Sequence, residues 1–475
     1  MISELLIRGA TLVTPDGLRP GSVLVRGGRI YAILPPDTQA EAAEVLDATG
    51  LHVLPGAIDI HCHIRSPAYP QRGTVLSETA ACAKGGITSV FEMPITDPCC
   101  NTPERVAIRR DHFAQTALVD FGLYAAPVEL TEAAFHALRE AGVVALKIFT
   151  TPSPPGRDRE FAGLAWPDAA HQARVLALAA RTGLMVVVHA EHPEILAQAD
   201  LAARALDPAD AATHNAARPA QAEALAVAQL LALNMTAGAR LHIAHVTSAE
   251  TVDMLRRFAG TSDFSAETCP HYLQHTAEDV AKVGVCAKIN PPVRHAADRE
   301  ALWQALADGT IQHVTTDHAA FSAAEKAAHE GNFLTAPPGH PGTETMLPFL
   351  LDAVVQNRLS LEQAVALVSG NAATRYGLPQ KGRLAHGADA DLLVVDLSGE
   401  TRITADNLLT AARDLAKLSH GSVFQGAICR TILRGRTVWD GTSILGTPGY
   451  GCYLSPRNLS RTSVRDTSIS TETAV

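Results

Sequence analysis

IDIHCHIRSP, residues 58–67, sets two histidines one residue apart at the end of an apolar run, with an aspartate before them and an arginine after. Side chains on a strand alternate with period two, so His61 and His63 share one side and Cys62 takes the other. The spacing H-x-H therefore lets two imidazoles converge on one ion. Two ligands do not make a metal site, so the question becomes what the following strands bring to the same end.

Seven further apolar runs follow: ITSVFEMP, FGLYAAPV, ALKIFT, MVVVHAE, RLHIAHVT, DFSAETCPHY and IQHVTTDHA. Helical patterns such as TVLSETAACAKGG, PDAAHQARVLALAARTG, PAQAEALAVAQLLALNM and DREALWQALADG separate them. Alternating strands and helices indicate a parallel sheet, and eight units over about 250 residues match a closed barrel. The expected fold is α/β, a (β/α)8 TIM-like barrel over 56–379. Short strand-like runs punctuated by Gly and Pro occupy residues 1–55 and return in DADLLVVD and CRTILRGRTVWDG. They predict a small β-sandwich domain built from both termini, 1–55 with 380–454. The Ser/Thr/Arg-rich stretch 455–475 has no periodicity and is expected to be a disordered tail.

Composition narrows the function. Apolar residues make up 47% of the 475, enough for a large core, and the net charge is −10 without a Lys/Arg cluster. That argues against a nucleic-acid surface. No run approaches the ~18 apolar residues of a membrane span. Glu4 and Arg8 interrupt the N-terminal apolar stretch, unlike a signal peptide. The eight cysteines form no C-x-x-C pair, which suits reduced thiols in a cytoplasmic protein.

In barrels of this kind chemistry gathers at the C-terminal strand ends. Here those ends carry His61 and His63, Lys147, His189, His245 and Asp317. A lone histidine on a strand is more often an ordinary core residue, and the chain has 20 of them. Four histidines with a lysine and an aspartate, all at strand ends with unit spacing, form a constellation that single residues do not.

These residues lie within PGAIDIHCHIR (55–65), GGITSVFEMP (85–94), ALKIFT (145–150), HAE (189–191), LHIAHVTSAE (241–250), ETCPHYL (267–273), KINPPVR (288–294), TTDHA (315–319) and GRLAHGADADLLVVD (382–396). Together they resemble the amidohydrolase superfamily, in its cyclic-amidase branch of dihydroorotases, allantoinases and hydantoinases. The resemblance implies two divalent ions, usually zinc. His61, His63 and Asp317 would hold one, His189 and His245 the other, and Lys147 would bridge them as a CO2-derived carbamate. An ordinary lysine, pKa ~10.4, would be a cation beside two dications, and carboxylation makes it an anion instead. The implied reaction is reversible hydrolysis of a ring amide by activated water, with Asp317 as general base and then acid.

Within that branch the nearest likeness is to dihydroorotases. Arg65 completes their H-x-H-x-R, where the arginine holds a substrate carboxylate, and Asn290 in KINPPVR also matches. The hydantoinase tyrosine expected five residues after the lysine is Pro152. Ile95 and Phe321 stand where dihydroorotases resemble M-P-N-T and D-H-A-P-H, so two expected anion contacts are apolar. His318 is expected beside the substrate or behind the ligands; Arg65 and Asn290 also admit structural roles, a rim ion pair and a loop cap. The alternatives are an allantoinase, a hydantoinase/dihydropyrimidinase-type hydrolase, a lactone or ester hydrolase, and an inactive barrel serving as a scaffold. The resemblance further implies a small-molecule partner and a homo-oligomer, dimer or tetramer.

Overall fold

The computed structural model describes residues 3–456. The eight runs form barrel strands Ala57–His63, Ile87–Glu92, Asp120–Ala125, Ala145–Phe149, Met185–His189, Arg240–Ile243 and Phe264–Thr268, with an eighth divided into His313–Val314 and His318–Ala319. They pair in chain order, and the parallel sheet curls round until the eighth meets the first. That division is how the ring closes. Val314 pairs with the seventh strand and His318 with the first. Between them Thr316 donates to the Asp59 carboxylate from N at 3.1 Å and Oγ1 at 2.6 Å. Burial pushes Asp59 up to about 6, against the pull of these bonds.

The helices fall where the patterns place them, over Val75–Lys84, Ala169–Thr182, Ala220–Ala237 and Ala296–Ala307. Thr74 and Asp168 cap two of them through Ser77 N and His171 N, and Gly183 at φ 70° ends the helix that Asp168 begins. Helices Pro193–Ala203 and Ala211–Ala217 fill the long gap between the fifth and sixth strands. Among the described residues no helix is long and apolar enough to cross a membrane.

Strict alternation does not describe the first strand. Ile58 and Ile60 pack in the barrel interior with Phe91, Met93, Tyr124, Met185 and Val187. His61 and His63, of opposite parity, nevertheless face Asp317. A register shift between Asp59 and Cys62 reconciles the two sets, turning the strand end so that both imidazoles lie above the apolar plug.

The terminal strands, Ser3–Thr14 to His52–Pro55 and Leu392–Arg402 to Arg436–Trp439, join in one eight-stranded sheet. Leu5, Ile7, Val23, Val25, Ile30, Val53, Leu392, Val394 and Ile432 form its own core. Leu54, Leu393, Val395 and Leu433 pack with the core between barrel and helices. A buried clasp joins the sheet to the barrel: the Lys381 ammonium reaches Asp120 of the third barrel strand at 2.8 Å, Asp391 at 2.5 Å and Asp389 at 3.3 Å. Burial notwithstanding, those carboxylates raise the lysine far above its ordinary range. Ser455, where the expected tail begins, is buried, and Leu454 N donates to Phe121 O at 2.7 Å. The expected tail beyond residue 456 lies outside the described residues.

Candidate metal centre

The strand ends bring five of the six proposed ligands into one chain of contacts. Asp317 Oδ1 lies 3.2 Å from His61 Nε2 and 3.3 Å from His63 Nε2. His245 stacks near His61, ring centroids 5.4 Å apart, and its Nε2 is 3.0 Å from His189 Nδ1. Ligand atoms of His61, His245 and Asp317 fall within 4.8 Å of one another, a possible metal site. Lys147 is fully buried, its Nζ without a hydrogen-bond partner. Its charge also disfavours protonation of His189 and His245, which places it among them.

Carboxylates stand behind two of the ligand histidines. His61 Nδ1 contacts the Glu267 carboxylate and His189 Nε2 lies 2.7 Å from Glu191. In the neutral tautomers those contacts select, the N–H is spent on the carboxylate and the other nitrogen carries a lone pair. His189 Nδ1 is then the lone-pair nitrogen that faces His245 Nε2. Burial, the largest effect, pushes His63 down to about 3 and lowers His189 and His245, so these three imidazoles are neutral at pH 7. Although burial opposes it, His61 and the hydrogen bond from His63 hold Asp317 well below the carboxylate range. Neutral nitrogens and an ionised oxygen are the donor set a divalent ion such as zinc takes. Burial also pushes Lys147 down to about 8, against Glu267 and Asp317. About a tenth of its amine is therefore neutral at pH 7.

Three of the non-glycine residues at positive φ belong here: Arg65 at 59°, His245 at 37° and Asp317 at 42°. Such conformations cost about 1–3 kcal/mol each and persist where the surroundings fix them. Glu92 supplies part of that fixing, accepting from Ile64 N at 2.7 Å and Arg65 N at 2.8 Å while paired with buried Arg109. His245 sits two residues past its strand, so its backbone turn aims the ring.

Sequence reasoning missed the carboxylates behind the ligands. Glu267 bridges His61 and His242, the latter at 3.0 Å. Glu191 joins His189 to Arg218. Both lie in quoted motifs, and their parity with the strand-end ligands was the available signal.

The substrate-side residues divide. Arg65 is buried, and its Nε and Nη1 have no hydrogen-bond partner. Burial, then Arg72 and Arg157, push it down to about 9, against the pull of Glu160 and Glu92. The Asn290 amide oxygen is likewise buried without a partner. Phe321 is buried with its ring 4.9 Å from the Arg65 guanidinium carbon. Ile95 and His318 are not placed as substrate contacts, and His318 takes the structural alternative. Ile95 packs in an apolar cluster with Cys99, Ala126, Phe161 and Leu164. His318 spends both nitrogens on structure, Nε2 on Glu78 at 3.0 Å and Nδ1 accepting from Gly342 N at 3.1 Å. It neighbours Asp317 in sequence and alternation turns it away.

Residues 52–438 match the model of the Amidohydrolase family. The chain belongs to that family. The amidohydrolase from this sequence is 37% identical to an allantoinase of Deinococcus radiodurans over 97% of this chain and 100% of the relative. A dihydroorotase of Halobacterium salinarum is 35% identical, covering 94% and 98%. An L-hydantoinase structure from Arthrobacter aurescens superposes with a TM-score of 0.90 at 30% identity, over 96% of this chain and 100% of that one. This amidohydrolase is thus a hydrolase of carbon–nitrogen bonds in cyclic amides, on a (β/α)8 fold. The relatives carry enzyme names, and the scaffold alternative finds no support.

Proposed function

We propose that this amidohydrolase is dihydroorotase-like: it opens, and in reverse closes, a ring amide of a cyclic ureide that carries a carboxylate. The observation that carries this reading is Arg65, a buried cation with two unpaired N–H groups beside the candidate metal centre. An anionic substituent would accept a charge-assisted hydrogen bond from Nε or from Nη1, which lie on different edges of the guanidinium. His61, His63 and Asp317 would hold one ion, His189 and His245 a second, and Lys147 would bridge them once carboxylated. When bound, the ions, zinc in this proposal, supply Lewis acidity toward the ring carbonyl and an attacking water.

The chain's own residues do the rest. Asp317 has 11% of its side chain exposed against 1% for His61, so it is the accessible carboxylate at the centre. It takes the proton from the attacking water and hands it to the departing ring nitrogen, so that no proton is left behind. Glu267 and Glu191 fix the tautomers that present ligand lone pairs. The buried Arg65 orients the ring. The proposal includes the division into units 1–55 with 380–454 and 56–379, a homo-oligomer of two or four chains, and cytoplasmic residence.

A second reading, an allantoinase, is favoured by the apolar side chain of Phe321 and by the relatives named allantoinase. Steady-state assays of the zinc-loaded protein on dihydroorotate, allantoin, hydantoin and dihydrouracil separate them. Dihydroorotate turnover that collapses in Arg65→Met supports the first. Rapid allantoin turnover indifferent to Arg65 establishes the second and refutes the first.

A further inference from the structure

Phe321 is more than a lost polar contact. Two guanidiniums lie against its ring, with the Arg65 carbon 4.9 Å and the Arg72 carbon 4.3 Å from its centroid. Arg72 in turn lies 4.1 Å over Tyr69, making a run Tyr69, Arg72, Phe321, Arg65. The far cation is neutralised: Glu325 Oε1 accepts from Arg72 Nε at 2.9 Å and lies 2.7 Å from Nη2. Arg65 forms no ion pair among the described residues. The ring itself is held fast, packed with Ala319 and Leu415, and a Cβ on Gly339 would come within 2.7 Å of it.

A guanidinium's donors lie in its plane, whereas its face is what an aromatic ring engages. A carboxylate in place of Phe321 would consume the donors of Arg65. The phenyl ring leaves Nε and Nη1 unspent, as both are here. We infer that Phe321 is a positioning residue for substrate specificity: clamped from behind by Arg72 and Tyr69, it fixes the Arg65 guanidinium by its face and leaves its edge free for a substrate carboxylate. This rests on the reading of Arg65 as the anion contact. It also changes the meaning of the missing histidine, since the position supports the anion site through the arginine.

The test uses the full-length zinc-loaded enzyme and two probes differing in one charge, hydantoin-5-acetate and hydantoin-5-acetamide. The readout is the ratio of kcat/KM for the anionic over the neutral probe, with KM and kcat separated. Kd values for both probes in an Asp317→Asn background read the same ratio without turnover. A cation–π contact at a desolvated site is worth about tenfold or more in binding. Phe321→Leu should lower the ratio about tenfold, chiefly through KM, and Phe321→Tyr should restore most of it. If Arg65→Met lowers the ratio while Phe321→Leu shifts it by no more than about twofold, or if Tyr and Leu behave alike, the stack has no positioning role. If Arg65→Met itself leaves the ratio unchanged, the anion-site reading falls and this inference with it.

Discussion

Glu267→Gln keeps the shape of a buried side chain while removing one acceptor and a charge. Glu267 faces two N–H donors, His61 Nδ1 and His242 Nε2, the second at 3.0 Å. Glutamine offers one carbonyl and one amide NH2, so one histidine must face a donor. A buried donor left unsatisfied costs about 1–3 kcal/mol. The cheaper escape is for His61 to change tautomer, which removes the lone pair directed at Asp317. Loss of a carboxylate that orients a metal-ligating histidine typically costs about 10–100-fold in metal affinity or activity. At about 1.36 kcal/mol per tenfold the two estimates coincide. Zinc Kd values from chelator competition should therefore weaken about 10–100-fold in Glu267→Gln, with most turnover regained at saturating zinc. A variant that folds, binds zinc within twofold of the parent and turns over normally would refute the assignment of Glu267 as the group that sets the His61 tautomer.

Other outcomes follow from the same geometry. Asp317→Asn should lower kcat by about 10²–10⁴ while KM moves little, measured at saturating zinc. Lys381→Met leaves Asp120, Asp389 and Asp391 without their shared cation and should cost about 3–5 kcal/mol of stability, read from denaturant unfolding. Lys147 titrates near 8 in the folded protein, below its unfolded ~10.4, so its neutral amine grows as pH rises through about 8. Carbamate formation needs that neutral amine. Recovery of activity by metal-depleted protein given zinc and a fixed CO2 concentration should speed up from pH 7 to 9 and then level off.

Much of the fold could be read because each barrel strand is a short apolar run ending in a polar residue, and the chain order of those runs is the order of the sheet. His61, His63, His189, His245 and Asp317 were readable for the same reason, each at or just past a strand end. What escaped was anything set by local departures from regularity. The register shift after Asp59 lets Ile58, Ile60 and His61 all serve the interior, which period two forbids. The division of the eighth strand at Thr316 depends on Asp59, 257 residues away. His318 was assigned by motif where alternation already turned it toward Glu78. Phe321 looked like a subtraction until Arg65 and Arg72 were found on its ring. Long-range pairings of single side chains leave no periodic trace in a sequence.

The central claim is that the strand-end side chains assemble a pair of cations around Lys147. Elemental analysis of the purified, active protein tests it most directly, comparing the parent with Lys147→Ala. The account predicts about two divalent ions per chain in the parent, as in other two-metal hydrolytic sites, and loss of at least one in the variant together with activity. An active parent without bound divalent metal, or a variant that keeps both ions and full turnover, would contradict it.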